Sequence, residues 1–172
     1  MFKKLLFFVI LLASMTSFGQ EVTFGAQAGY LNMESKATYD GSSISDNVSG
    51  FYVGALADFT LSEDFHLQPS VNYANADDMG FLIIPVMAQY HIQNSGFYLQ
   101  AGPQGTIMLE ETADGVNAFG LDLAVGAGYQ INENFFLEAK YAFEITNRLS
   151  GDAGEDVKGH VNTLSVGLGY KF

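Results

Sequence analysis

Cysteine is absent from the 172 residues, which removes disulfide scaffolds, thiolate zinc sites and cysteine nucleophiles. The redox compartment stays open, because a chain without thiols is indifferent to it. Basic residues are scarce: seven Lys and Arg stand against nineteen Asp and Glu, a net charge of −12. That sign is wrong for phosphate recognition and excludes nucleic acid as a partner. Charge of either sign is sparse at 15%, where a soluble globular domain carries about 25%. After Gln20 no segment has the helical spacing of apolar residues. No G-x-S-x-G nucleophile motif, EF-hand loop or RTX-type repeat occurs. What is present is apolar: 48% hydrophobic residues, 15 Phe, 9 Tyr and 19 Gly, too hydrophobic for a disordered acidic tail and suited to one domain.

The first residues have a separate purpose. Lys3 and Lys4 precede the apolar run Leu5 to Ala13, and the small residues Ser17 and Gly19 follow. This is the layout of a secretory signal peptide. A transmembrane helix needs roughly 20 apolar residues, and this run turns polar at Ser14. Cleavage is expected after Gly19, giving a signal peptide over 1–19 and a mature domain over 20–172, with no Cys available for a lipid anchor. Losing Lys3 and Lys4 leaves five basic residues against nineteen acidic ones, a net of −14.

Alternation at period two runs through the mature chain, broken by Gly, Asn, Asp and Ser clusters. It predicts eight strands: Val22 to Met33, Gly50 to Thr60, Phe65 to Asn75, Gly80 to Ile92, Phe97 to Met108, Asn117 to Gln130, Phe135 to Asn147 and Val161 to Phe172. Leu61 to Asp64, Gln93 to Gly96 and Ile131 to Asn134 are tight turns, whereas Glu34 to Ser49, Leu109 to Val116 and Arg148 to His160 are long and polar. One end of the molecule therefore has turns and the other has loops. The short Ala76 to Met79 link falls on the loop side, and both termini fall on the turn side.

One face of each strand is apolar. In the last strand Leu164, Val166, Leu168, Tyr170 and Phe172 alternate with Thr163, Ser165, Gly167, Gly169 and Lys171. A soluble lipocalin-like barrel would show the same alternation, but it has no reason to sort aromatics by height. Here Phe24, Phe59, Phe65, Tyr90, Phe97, Tyr129, Phe135, Tyr170 and Phe172 mark the turn-side ends of the apolar faces, and Tyr30, Phe51, Tyr73, Phe119 and Phe143 form a second ring toward the loops. Two aromatic belts around a band of Leu, Val, Ala and Ile suit a lipid-facing surface about 25 Å tall. Nine glycines, Gly169 and Gly128 among them, fall on the opposite face, where they ease curvature and make room for large inward neighbours. The expected fold is an all-β, eight-stranded, antiparallel, up-and-down transmembrane barrel, whose closure satisfies every strand edge as lipid demands.

At this point the residues resemble the PorT-like outer-membrane β-barrel domain family of Gram-negative bacteria. Phe81 to Tyr90 is similar to the family's apolar strand centred on Ile-Pro, here Ile84-Pro85, with Gln89 where Lys is usual. Phe97 to Pro103 resembles the following strand with its Ala-Gly-Pro, and Phe119-Gly120 through Tyr129 the Gly-rich sixth. Phe136 to Tyr141 resembles the seventh, with Lys140 in place of the commoner Arg. The ending, with Tyr170 two residues before the final Phe172, resembles a barrel's C-terminal signature. The resemblance implies residence in the outer membrane among lipid and lipopolysaccharide, recognition of Tyr170 and Phe172 by barrel-assembly machinery, a monomer, and no catalytic motif or cofactor.

Several constellations invite chemistry. Asp58, Asp122, Glu138, Lys140, Glu144 and Lys171 face the expected lumen. In the register set by the strand ends, Glu138 would face Lys171, with Lys140 between Glu138 and Glu144 and near Asp122. Such charges form either an ionic network filling a narrow barrel or a path for ions. His66, His91 and Asp58 at the turn-side end are candidate zinc or copper ligands, against the plainer reading of polar filler near the rim. His160 with Ser150, Asp152 and Glu155 is the weak candidate for a lipid-modifying site. The loops and the Asp78 link carry Glu34, Asp40, Asp46, Asp77, Asp78, Glu110, Glu111, Asp114, Asp152, Glu155 and Asp156 against Lys36, Arg148 and Lys158. That acidic rim suits a solvated surface or a divalent cation shared with lipopolysaccharide. The expected function is non-enzymatic, a structural or binding role at the surface, with a narrow transport path as the alternative.

Overall fold

The computed structural model describes residues 21–39, 42–110, 116–148 and 157–172. The expected signal peptide lies outside the described residues, as do Ser150, Asp152, Glu155, Asp156, Asp40, Glu111 and Asp114. Eight strands follow in order: β1 Val22–Tyr39, β2 Ser42–Thr60, β3 Phe65–Ala76, β4 Met79–His91, β5 Phe97–Met108, β6 Phe119–Gln130, β7 Phe135–Glu144 and β8 Val157–Lys171. Each pairs antiparallel with its neighbours in sequence, and β8 returns to β1 to close the barrel.

The register gives the strand tilt. Ladder partners lead from Val22 through Phe59, Leu67, Ala88, Ala101, Val125, Tyr141 and Leu164 back to Asn32 on β1. One circuit therefore climbs from residue 22 to residue 32, a shear of ten. With about 3.3 Å of rise per residue and about 4.8 Å between strands, ten residues over eight strands tilt the strands by about 40°. Residues level with one another are thus displaced by a little over one position per strand from ladder partners.

Turn chemistry agrees with connection length. Asp77 and Asp78 join β3 to β4 with both φ values positive, 50° and 62°, as a two-residue type I′ hairpin requires. Asn94 and Gly96, at φ 59° and 73°, serve the β4–β5 turn. The β1–β2 and β7–β8 connections depart from expectation. β1 continues to Tyr39 and β2 starts at Ser42, where a loop over Glu34 to Ser49 was expected, and β8 starts at Val157. Tyr39 pairs with both Ser42 and Val157, so β8, β1 and β2 extend as one sheet past the rest of the barrel. These extensions are largely polar, with Ile44 and Val48 on one face of β2, and carry no sustained apolar alternation. Conversely β7 stops at Glu144, short of Asn147.

The two faces differ as the alternation implies. Phe24, Phe65, Phe97, Phe51, Tyr30, Phe119 and Phe143 are exposed on the outer surface, whereas Phe59, assigned to the turn-side ring, is buried. Rings meet in tilted or edge-on cross-strand pairs along the turn-side belt: Phe65–Tyr90, Phe97–Tyr129 and Phe135–Tyr170, with centroids 4.7–5.1 Å apart. The core is the barrel's inside. Its loop-side half on β1–β4 is an apolar cluster of Leu31, Met33, Tyr52, Ala74, Ala76, Phe81 and Ile83, and in the rest polar residues mix with a smaller cluster of Met87, Ala124 and Ala142 and with the rings of Tyr98 and Phe136.

Candidate functional site

Inward positions on a tilted barrel are brought together by level. At the turn end Asp58 accepts from two donors: Lys171 Nζ, and His66 Nδ1 at 2.8 Å, the ring nitrogen that carries the hydrogen in this bond. All of this lies inside, with Asp58 3% exposed. Lys171 therefore belongs to Asp58 and not to Glu138, whose ladder partner on β8 is Gly167. The tilt is the reason. Lys171 pairs with Gly25 and Gly25 with Leu56, and a displacement of a little over one residue per strand across two strands makes Asp58 level with it.

His66 and His91 do come together, with their rings tilted by 35° and centroids 4.2 Å apart, and His91 stacks in turn on Tyr98 at 4.9 Å. His66 Nδ1 is committed to Asp58, and His91 Nε2 lies 3.3 Å from Gln89 Oε1. Among the described residues no three His, Cys, Asp or Glu are placed to hold a metal ion. His66, His91 and Tyr98 form an aromatic column at the turn-side end.

One level up, Lys140 Nζ bonds Glu138 Oε1, Gln100 Nε2 donates to Glu138 Oε2 at 3.2 Å, and Gln89 Nε2 donates to Gln100 Oε1 at 3.3 Å. On the opposite wall Gln27 Nε2 donates to Asn72 Oδ1 at 2.7 Å. Nearer the loops Asp122 Oδ2 accepts from Thr106 Oγ1 at 2.6 Å and Gln104 Nε2 at 3.0 Å. Glu144 is not Lys140's partner. Its Oε1 accepts Arg148 Nε at 2.7 Å, and its Oε2 accepts the Val161 backbone N–H.

Arg148 is the inward residue missing from the sequence-based set, where it was counted with the loop cations. It is 4% exposed. Continuing period two past the end of β7, through Thr146, puts residue 148 on the same face as Glu144, so the pattern could have located it. His160, assigned to a loop, lies on β8 with Nδ1 3.1 Å from the Thr146 carbonyl oxygen.

The arrangement fills space. Glu138, Glu144 and Asp58 each hold a cationic partner within the lumen, which offsets the cost of burying charge. Glycine opposite an aromatic completes the packing: a Cβ on Gly169 would stand 2.0 Å from Phe136 Cζ, and one on Gly128 2.0 Å from Tyr98 Cζ. A cavity of about 20 Å³ remains beside Tyr52, Asn72, Gln104 and Lys140, room for about one water. The apolar cluster of Leu31, Phe81 and Ile83 stands on its loop side.

A closed antiparallel barrel with an apolar, aromatic-belted exterior and a packed polar interior is a transmembrane β-barrel of the outer-membrane type. The family model for the outer membrane protein beta-barrel domain matches residues 74–172, more than half of the chain, and the chain belongs to that family. Membership places it in the outer membrane. Among solved structures, Neisserial surface protein A (NspA) is similar at a TM-score of 0.53 and 20% identity, covering 88% of this chain and 99% of that one. Ail, the attachment invasion locus protein of Yersinia pestis, in complex with the heparin analogue sucrose octasulfate, is similar at a TM-score of 0.50 and 20% identity over 88% and 99%. At these identities the likeness shows the shared fold. No curated protein sequence matches the chain.

Proposed function

We propose that this protein is a closed, non-enzymatic barrel that holds an acidic rim at the cell surface for a structural or binding role. The observation that carries the reading is the lumen: side chains from all eight strands occupy it, its carboxylates Asp58, Glu138 and Glu144 are paired with cations, and the cavity inside has about 20 Å³. A conducting path needs continuous water, and this packing supports a closed lumen. Glu34, Asp46, Asp77, Asp78 and Glu110 lie at the loop end, which on this reading is extracellular, in contact with lipopolysaccharide and any cation it shares, while the turns and both termini are periplasmic. Export by the signal peptide, recognition of Tyr170 and Phe172 by the barrel-assembly machinery, a monomeric state and a place in the PorT-like branch complete the proposal. They are supported by the basic-apolar-small start, the aromatic ending and the Ile84-Pro85 and Ala101-Gly102-Pro103 strands.

Purified protein in planar bilayers is expected to be electrically silent. Discrete conductance steps that change in Lys140→Gln would refute the closed lumen and establish the narrow transport path instead.

A further inference from the structure

The outer face of the barrel carries two apolar hollows in its turn-side half, one to either side of Leu99 on β5. The first, of about 270 Å³, lies over Ala127 and Ala139, bounded by Phe97, Tyr129, Leu137 and Val166. The second, of about 230 Å³, lies over Ala88 and Ala101, bounded by Phe65, Tyr90 and Leu99. The ladder explains them: Ala127 pairs with Ala139 and Ala88 with Ala101, so methyl side chains meet methyl side chains and leave a dent among larger neighbours. Leu99, 55% exposed, stands between the two as a ridge. Glu138, Gln89 and Gln100 border the hollows from within the barrel wall, but their side chains are buried in the lumen network and offer nothing polar to the outside.

Both hollows end at the turns against a third, polar one of about 500 Å³. Phe97 lines this third hollow and the first, while Asp64 and His91, which also line it, are the chain neighbours of Phe65 and Tyr90 in the second. Its acids are Glu63 and Asp64; its other polar side chains are Gln93, Asn94, Gln130 and His91, whose Nε2 lies 3.3 Å from Gln89 Oε1. Asp64 Oδ2 accepts from Gln93 Nε2 at 3.1 Å, and Glu63 is exposed. Among the described residues Lys171 is the sole Lys or Arg of this end, and it is bonded to Asp58 inside the lumen. The polar hollow therefore attracts a cationic head and repels an anionic one.

We propose that this face of the barrel holds one phosphatidylethanolamine molecule, with its two chains in the hollows on either side of Leu99 and its ammonium donating to Glu63 and Asp64. The surface already faces lipid, so the site selects among lipids. The hollows lie about two strand spacings apart, roughly 10 Å, and the two chains splay across the ridge. A primary ammonium brings N–H donors to the carboxylates in charge-assisted bonds. A choline head carries the same charge without a donor, and phosphatidylglycerol brings a net negative charge to an acidic rim.

The chain contains no Trp, so Leu99→Trp puts a single fluorophore on the ridge. Ala26→Trp is the reference: it is exposed on β1, across the closed barrel from β5, and it stands two residues from the belt ring Phe24 as Leu99 does from Phe97. Each variant is placed in phosphatidylcholine nanodiscs at mildly alkaline pH and checked for folding by heat-modifiable gel mobility. A minor fraction of the lipid is chain-brominated phosphatidylethanolamine, phosphatidylcholine or phosphatidylglycerol, whose bromines quench Trp on contact. Brominated phosphatidylethanolamine is expected to quench Leu99→Trp about threefold more than brominated phosphatidylcholine, and phosphatidylglycerol less than either, while all three quench Ala26→Trp alike. Adding Glu63→Gln with Asp64→Asn should bring the three lipids level at Leu99→Trp. Adding Ala127→Leu with Ala139→Leu, which fills one hollow and leaves the acids in place, should do the same. Equal quenching by phosphatidylethanolamine and phosphatidylcholine, the same preference at Ala26→Trp, or a preference that outlasts either pair of substitutions each overturn the site; survival after the hollow is filled would mark a diffuse attraction to the acidic turns. Nanodiscs offer both leaflets alike, so the outcome depends neither on the direction of insertion nor on a closed lumen, and failure here leaves the proposed function standing.

Discussion

Gly169→Ala is the sharpest probe of lumen packing. The added methyl would sit 2.0 Å from Cζ, 2.3 Å from Cε1 and 2.7 Å from Cε2 of Phe136, where carbon pairs normally rest about 3.5–4.0 Å apart. An overlap of about 1.5 Å must be relieved by the ring or by the backbone. The ring has nowhere to go: Phe136 is fully buried, with Lys171 Nζ 5.5 Å from its centroid. Overpacking of this kind costs about 1–3 kcal/mol. Replacing glycine by alanine in a strand returns roughly 0.5–1 kcal/mol through the unfolded chain. A net destabilisation of about 1 kcal/mol is expected. Urea unfolding in phospholipid vesicles, followed by far-ultraviolet circular dichroism and gel mobility, measures it. Phe136→Leu creates space, so in that background Gly169→Ala should become nearly neutral, a coupling of at least about 1 kcal/mol. Gly80→Ala is the control, because its Cβ would meet only side chains, the nearest being Glu110 Oε1 at 3.3 Å; its effect should lie within about 0.5 kcal/mol. Equal losses for Gly169→Ala with and without Phe136 would refute the steric argument.

Two further outcomes follow from the same geometry. Lys171→Met leaves Asp58 buried with His66 alone and should cost about 3–5 kcal/mol in urea unfolding, whereas Asp58→Leu with Lys171→Met together should come close to wild type; an additive pair would mean that the two side chains do not interact. Because the chain has no native Cys, Asp78→Cys and Asn132→Cys report orientation: a membrane-impermeant maleimide on intact cells should label the first and reach the second only after permeabilisation, and the reverse pattern would invert the proposed topology.

Strand number, the two faces and the belts were legible because period two is local: a strand's neighbours along the chain decide which way each side chain points. Phe119, Phe143 and Phe97 were placed outward, and Gln100, Asp122 and Lys140 inward, from parity alone. The polar extensions Glu34 to Tyr39 and Ser42 to Ser49 were illegible for the complementary reason. Outside the lipid band neither face is apolar throughout, so a strand held by ladder bonds to β8 and β2 leaves no sustained periodic trace. Arg148 was hidden at such a border, where the alternation of β7 continues for one more turn of the pattern into what looked like a loop. Phe59 had the parity of an outward residue and is nevertheless buried, a packing result that alternation does not contain.

By itself the sequence determined the environment and the class of fold, since a lipid-facing surface needs an apolar face on every strand and closure needs paired edges throughout. It also determined, Arg148 apart, which charges enter the lumen. Only the tertiary structure decided how those charges pair. The choice of Asp58 and not Glu138 for Lys171, and of Arg148 for Glu144, follows from a shear of ten over eight strands. Shear is a property of the closed circuit, and no single strand carries it.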